Sequence, residues 1–140
     1  MTYTHSITVS LPYAEAVERT RSALADQGFG ILTEIDIKAT FEAKLGSDAA
    51  DAIGDYVILG ACNPSLASKA LAAEPELGAL LPCNVVVRSV AQDRTAVEAL
   101  DPQTMVQLSA SDGVREVADD ADTRLRAALS AVSGDAATDA

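Results

Sequence analysis

The chain has 140 residues, of which 49% are hydrophobic, enough apolar material for the core of one globular domain. Its 21 acidic residues outweigh 10 basic ones, giving a formal net charge of −11 that argues against DNA, RNA or an anionic membrane as a partner. No apolar run reaches the ~20 residues of a membrane span and no secretory leader is visible, so we expect a cytoplasmic protein with reduced cysteines. Abundant Asp and Ala with scarce Lys also suit a salt-rich habitat.

The chain opens with a predicted strand followed by a predicted helix. Residues 3–9 alternate between polar and apolar side chains, which is typical of a strand. Pro12 stands where the first turn of a helix would place it, and apolar side chains follow at helical spacing. Gly28 supplies the left-handed stop, with Phe29 expected to fold back onto Leu24. We therefore expect the first helix to lie between Pro12 and Gly28.

A second strand and a short helix come next. Residues 30–37 alternate, so the strand is predicted to have one dry face and one wetter face. An amphipathic helix is predicted over residues 39–45, ending at Gly46. Residues 47–55 are acidic and show no apolar period, so we expect them to form a mobile loop.

The second half of the chain predicts further strands, a hairpin and a long final helix. That helix is the clearest element, because a continuous apolar stripe runs from Val114 to Val132 and charged residues occupy the opposite face. Gly134 is predicted to end it. With no repeat and no linker, we expect one α+β domain over residues 1–133, with a largely antiparallel sheet packed against helices, and a disordered tail over residues 134–140. The other predicted elements are a strand over 56–61, a helix over 64–73, a connector over 74–80, a strand over 81–90, a turn over 91–94, a strand over 95–100 and a helical turn ending at 108.

Familiar metal and catalytic signatures are missing from the sequence. Zinc needs about four ligands, and the chain has two cysteines and one histidine, His5, so no metal site is predicted, although a two-thiolate site for a soft monovalent metal stays open. There is no nucleophile elbow and no phosphate-binding glycine loop, so the sequence identifies no reaction and no cofactor. Four carboxylates at predicted strands could meet as an acid–base pair or remain solvated: Glu34, Asp36, Glu98 and Asp101.

Two Cys-Asn pairs are the remaining candidates for chemistry. Asn63 is a good N-cap and Pro64 a good first-turn residue, so Cys62 should precede a helix N-terminus, where the helix dipole favours a thiolate. The second pair, Cys83 and Asn84, opens a strand and could present a side chain at the end of the sheet. The alternative is that both cysteines are inert core residues and that both asparagines only cap or bond the backbone.

Five stretches form one ordered set: Leu11-Pro12-Tyr13, residues 28–36 (GFGILTEID), residues 56–64 (YVILGACNP), residues 80–87 (LLPCNVVV) and Asp101-Pro102. Together they resemble the domain of unknown function 302 family over about residues 5–132. The resemblance implies a TATA-binding-protein-like α+β fold, a tendency to form dimers, and two Cys-Asn pairs that are family hallmarks. It implies no activity. The chain departs from the family at residues 47–55, which replace a shorter, aromatic and proline-containing link.

These observations predict a homodimer with a small pocket lined by Cys62, Asn63, Cys83 and Asn84. The pocket would bind a small ligand, oriented by the asparagines and contacted by a thiolate. In a redox version, Cys62 would be attacked or oxidised and Cys83 would resolve it. The competing prediction is a non-catalytic interaction or structural dimer module with inert cysteines, and an enzyme that uses carboxylate acid–base chemistry ranks last.

Overall fold

An antiparallel sheet organises the part of the chain that the computed structural model describes, residues 2–134 and the backbone of 137–138. The strands are β1 (Thr4–Val9), β2 (Gly30–Asp36), β3 (Tyr56–Cys62), β4 (Cys83–Ala91), β5 (Arg94–Leu100) and the two-residue β6 (Ala137–Thr138), in the spatial order β2-β3-β4-β5-β1-β6. The helices are α1 (Tyr13–Asp26), α2 (Ile37–Leu45), α3 (Ser47–Ile53), α4 (Pro64–Ala73), α5 (Gln103–Leu108) and α6 (Asp112–Ser133), with a 3₁₀ helix over Pro75–Leu80. The predicted α+β class, an antiparallel sheet packed against helices, is confirmed.

Helix α1 ends as its glycine predicts. Gly28 has a φ of 85°, in the left-handed region that favours glycine. The backbone N–H of Gly28 donates to the carbonyl of Ala25 and that of Phe29 to the carbonyl of Leu24, both at 3.0 Å, which is the double closure of a Schellman motif. Phe29 and Leu24 are both buried in the same apolar cluster, which agrees with the contact predicted between them.

The hydrophobic core consists of two clusters joined by α6. The first cluster lies between the inward side chains of β1, β3, β4 and β5 and the helices α1 and α6; the second lies between α4, the 3₁₀ helix, α5 and the first half of α6. The predicted apolar stripe on α6 is confirmed, because its side chains from Val114 to Val132 are buried and supply both clusters. Helix α6 therefore sets the distance between the sheet and the α4–α5 unit.

Two local predictions are wrong. Residues 47–53 form α3 rather than a loop: Gly46 and Gly54, with φ of 97° and 73°, bound the helix and Ala50 is buried. Strand β2 has no dry face, since Leu32 is 66% and Ile35 45% exposed. It lies at the edge of the sheet, and its register on β3 shifts beside Leu32, which interrupts the alternation that the sequence shows.

Beyond α6 the structure describes a cap residue and a two-residue strand. Gly134 caps α6, as predicted. The tail predicted over residues 134–140 falls mostly outside the described residues; of those beyond Gly134, the structure describes the backbone of Ala137–Thr138, which pairs with β1. Across the described residues, no helix combines the length and apolar character needed to cross a membrane.

Candidate functional site

The first Cys-Asn pair lies where a strand becomes a helix. Cys62 is the last residue of β3, and Pro64 is the first of α4. Asn63 has extended backbone angles and its Oδ1 accepts a hydrogen bond of 3.2 Å from the backbone N–H of Leu66, so the predicted N-cap is confirmed. The cap places the Cys62 side chain beside the N-terminal end of a ten-residue helix, where backbone N–H groups and the helix dipole favour negative charge.

Cys62, Asn63 and Cys83 line one small cavity. The cavity lies at the seam between the two apolar clusters, so its walls come from both of them. Its volume is about 30 Å³, room for roughly one or two water-sized groups. Apolar walls come from Phe29 and Ala61 of the first cluster and from Leu66, Ala70, Val117 and Ala121 of the second. A site of this size and lining suits a very small, weakly hydrated ligand.

Asn84 is not part of the cavity wall. Its side chain is exposed, whereas its neighbour Cys83 is buried in the first apolar cluster. Successive side chains of a strand point to opposite faces of the sheet, so Asn84 and Cys83 cannot both face the cavity from β4. The structure therefore brings three of the four predicted site residues together and leaves Asn84 on the other face.

The two thiols have different environments. Cys62 is half-buried, Cys83 is only 6% exposed, and both are free of disulfides. Burial, with a smaller contribution from the nearby Cys62, raises the pKa of the Cys83 thiol from 9.0 to about 11. Cys83 is therefore a neutral thiol near pH 7.

A third sulfur atom lines the cavity, and the sequence analysis missed it. Met105 of α5 is 2% exposed and belongs to the second apolar cluster. It is the one internal methionine of the chain, but it lies 22 positions beyond Cys83 with two strands between, so no spacing in the sequence linked it to the thiols. The signal in the sequence that could have identified Met105 was its residue type, because a methionine has a flexible, soft side chain and this one lies in a short apolar helical turn.

Close backbone packing brings the second cysteine to the cavity. The Leu81–Pro82 peptide is cis, and the Pro82 ring lines the cavity beside Cys83. Opposite Pro82 lies Gly60 of β3, where an added Cβ would come within 2.9 Å of the Pro82 Cγ and would overlap the Thr33 hydroxyl. Gly60 is therefore required because the Thr33 side chain and the Pro82 ring already fill the space where its side chain would lie.

None of the four carboxylates considered as acid–base candidates lines the cavity, although Glu34 and Asp36 share a separate, open surface pocket beside Tyr13. Glu98 accepts two hydrogen bonds, of 2.7 and 3.0 Å, from the Arg88 guanidinium on the neighbouring strand. Asp36 caps α2 by accepting from the Ala39 backbone N–H at 2.9 Å. Of the others, Glu34 pairs with Arg21, and Asp101 accepts from the Gln103 backbone N–H.

His5 belongs to a polar cluster away from the cavity. Its Nε2 lies 2.6 Å from Asp122 Oδ1 and 3.6 Å from Asp101 Oδ1, and one ligand atom from each residue lies within 4.8 Å of the others. Asp122, which the sequence analysis did not consider, also accepts a 3.0 Å hydrogen bond from Arg126. Since these partners account for the polar groups, we interpret the cluster as a tie between β1 and α6.

Comparison with known proteins gives a family and a structural relative. The chain matches the family described as "Domain of unknown function DUF302" over residues 5–132. A solved structure described as that of an uncharacterized conserved DUF302 protein from Bacillus stearothermophilus is 27% identical, covers 94% of this chain and 99% of its own, and superposes with a TM-score of 0.82. No curated protein matches the chain. Neither description names a ligand, a reaction or an assembly.

Proposed function

The chain belongs to the family of domain of unknown function DUF302, and from that premise we propose that it binds a small thiophilic ligand through Cys62. One observation carries this proposal: a half-buried thiol and a buried thiol line the same cavity, at the N-terminal end of a helix. An inert core cysteine needs no cavity beside it and gains nothing from a helix N-terminus.

The proposed division of roles follows from exposure. Cys62 is the accessible group and makes the bond or contact to the ligand. Asn63 uses its Oδ1 in the helix cap, which leaves its Nδ2 as the donor for a polar atom of the ligand. Cys83 forms the buried wall behind Cys62, and its neutral thiol keeps that wall uncharged until a ligand displaces the proton.

A redox role is the second candidate, favoured by the presence of two thiols in one cavity. The Cys62 thiolate would attack a peroxide, breaking the O–O bond to form a sulfenic acid and release water or an alcohol. The Cys83 sulfur would then displace the sulfenic hydroxyl as water, forming a disulfide that an external thiol reduces. The raised pKa of Cys83 slows this second step, because the thiolate is the attacking species. Binding is therefore the favoured role.

Selective alkylation tests the proposal. Folded protein is treated with iodoacetamide near pH 7 and the modified peptides are quantified by mass spectrometry, with urea-unfolded protein as the reference. We expect Cys62 to react at least about tenfold faster than Cys83 in the folded state, and the two to react alike when unfolded. Equal inertness of both thiols in folded protein would contradict the proposal and favour the interaction module with inert cysteines.

The redox candidate has its own readout. Addition of hydrogen peroxide to reduced protein should produce an intramolecular disulfide between Cys62 and Cys83, seen as a loss of two hydrogens by intact mass. In Cys83→Ala the reaction should stop at the sulfenic acid, which a dimedone adduct identifies. If peroxide drives Cys62 only to sulfinic acid in the unaltered protein, Cys83 is not a resolving thiol and the binding role stands alone.

A further inference from the structure

We propose that the ligand of this cavity is a soft monovalent metal ion of the Cu(I) and Ag(I) class, held by the sulfur atoms of Cys62, Cys83 and Met105. The inference rests on the proposed function and deepens it, because it names the ligand class for the same cavity. It also adds a ligand, the Met105 thioether, that the proposed function does not use.

The donor set points to a soft ion. Three sulfur-bearing side chains converge on one cavity from the end of β3, the start of β4 and α5. Thiolate and thioether sulfur atoms select soft metals, whereas Mg²⁺ and Ca²⁺ take oxygen ligands. Among the residues lining the cavity, no carboxylate or imidazole is present to complete the four-ligand shell that Zn²⁺ usually takes.

The size and lining of the cavity agree with an ion rather than an organic molecule. About 30 Å³ admits a bare ion or a water-sized group, while sites for drug-sized ligands run to roughly 300–1,000 Å³. Cys83 and Met105 are 6% and 2% exposed, so water reaches the buried side of the cavity poorly. An ion that binds through two or three sulfur ligands, without a water ligand, fits this cavity.

The charges balance when the ion binds. One monovalent cation replaces the protons of two thiols: two S–H bonds break, two metal–thiolate bonds form together with one bond from the neutral Met105 thioether, and two protons go to solvent, with no change in oxidation state. The bound site then carries one net negative charge. The N-terminus of α4, next to Cys62, is where the fold stabilises such a charge. Because the Cys83 proton must be displaced, affinity should rise with pH.

Titration of the reduced protein with Ag(I), and anaerobically with Cu(I) against a chromogenic Cu(I) chelator, tests the proposal. We expect one ion per chain, release of about two protons per ion, and no displacement by equimolar Zn²⁺. Met105→Leu keeps the apolar volume and removes the sulfur, so affinity should fall about tenfold or more while alkylation of Cys62 is unchanged. Leu77→Met is the matched control: Leu77 is buried in the same cluster but does not line the cavity, so affinity should not change.

A second measurement avoids any change in packing. X-ray absorption at the copper edge of Cu(I)-loaded, selenomethionine-labelled protein should show a selenium neighbour at bonding distance beside two sulfur neighbours. Absence of that neighbour, or unchanged affinity in Met105→Leu, would overturn the three-sulfur site. If neither ion binds but Cys62 is still alkylated selectively, the metal inference fails and the proposed function survives. If Cys62 is also inert, both fail.

Discussion

Cysteine and asparagine each occur twice in this protein, and the two copies of each have different roles because their environments differ. Cys62 is half-buried beside a helix N-terminus, whereas Cys83 is enclosed in the first apolar cluster. Asn63 caps α4, whereas Asn84 is exposed on the far face of the sheet. The Cys-Asn motif is therefore not repeated as a chemical unit. Only the cysteines, together with Asn63, share a cavity.

The raised pKa of Cys83 predicts a specific loss of stability at alkaline pH. Folding raises the pKa of this thiol from its usual 9.0 to about 11, so its contribution to stability is complete below pH 9 and is lost as pH rises through 11. Over that window the free energy of unfolding should fall by up to about 3 kcal/mol from this group. Cys83→Ala should show a flatter dependence in urea denaturation than the unaltered protein.

Cys62→Ala is the matched control for that experiment, because it keeps the buried thiol and should retain most of the slope. Tyr13 should add a further loss in every variant, since burial, with Asp36 and Asp55 nearby, raises its pKa from 10.0 to about 12. Identical slopes for Cys83→Ala and the unaltered protein between pH 9 and 11 would show that burial of Cys83 does not control alkaline stability.

At the scale of elements, the cavity exists because α6 holds two packing units against each other. Its second half packs on the sheet and α1, and its first half packs on α4 and α5. The thiols arrive from β3 and β4, on the sheet side, and Met105 arrives from α5, on the other side. Pro82, which lines the cavity, and Thr33 together fill the space where a side chain at Gly60 would lie.

Gly60→Ala should therefore destabilise the protein by about 1–3 kcal/mol, since the added methyl group overlaps Thr33 and crowds Pro82. Gly30→Ala is the matched control in the adjacent strand: its nearest contact, the Cys62 carbonyl oxygen, is 4.0 Å away, so the substitution should be near neutral. Thr33→Ala in the Gly60→Ala background should recover part of the loss. Thermal or urea unfolding measures all four proteins, and equal stability of the two alanine variants would show that the strands can separate at no cost.

At the scale of the whole molecule, charge and the open sheet edge bear on assembly. Strand β2 is the outer strand at one end of the sheet, and its side chains Leu32 and Ile35 are exposed. An exposed edge with apolar side chains is a template for pairing with another strand. For the homodimer that the sequence predicts, we propose β2 as the interface, with two copies related by a twofold axis. Each copy carries a net charge of −11, so association must work against repulsion.

Sedimentation at several NaCl concentrations tests this interface. We expect the dimer to strengthen as salt rises, because the Debye length falls from about 10 Å at 0.1 M to about 3 Å at 1 M. Leu32→Lys should shift the protein to monomer, whereas Leu108→Lys, at a 73% exposed position away from β2, should not. A monomer at every salt concentration would contradict the dimer, and a dimer that survives Leu32→Lys would exclude the β2 interface.

Signals between near neighbours in the chain determined most of the secondary structure. The stop at Gly28, the cap at Asn63 and the apolar stripe of α6 all depend on residues a few positions apart, and the structure confirms each. The same local rules failed where contacts between distant parts of the chain decide the structure. Helix α3 lacked an apolar period, and the alternation of β2 predicted a dry face, whereas nearly all of its side chains are exposed.

The fold class, the acidity and the three cavity residues Cys62, Asn63 and Cys83 as candidates could all be inferred from the amino-acid sequence. Alternation along a strand could also have placed Asn84 away from Cys83. Only the tertiary structure decided that β3 and β4 are neighbours, that the thiols share a cavity and that Met105 completes its sulfur lining. The physical reason is that strand pairing and helix packing join residues more than 20 positions apart, and burial, which sets the Cys83 pKa, exists only once that packing has formed.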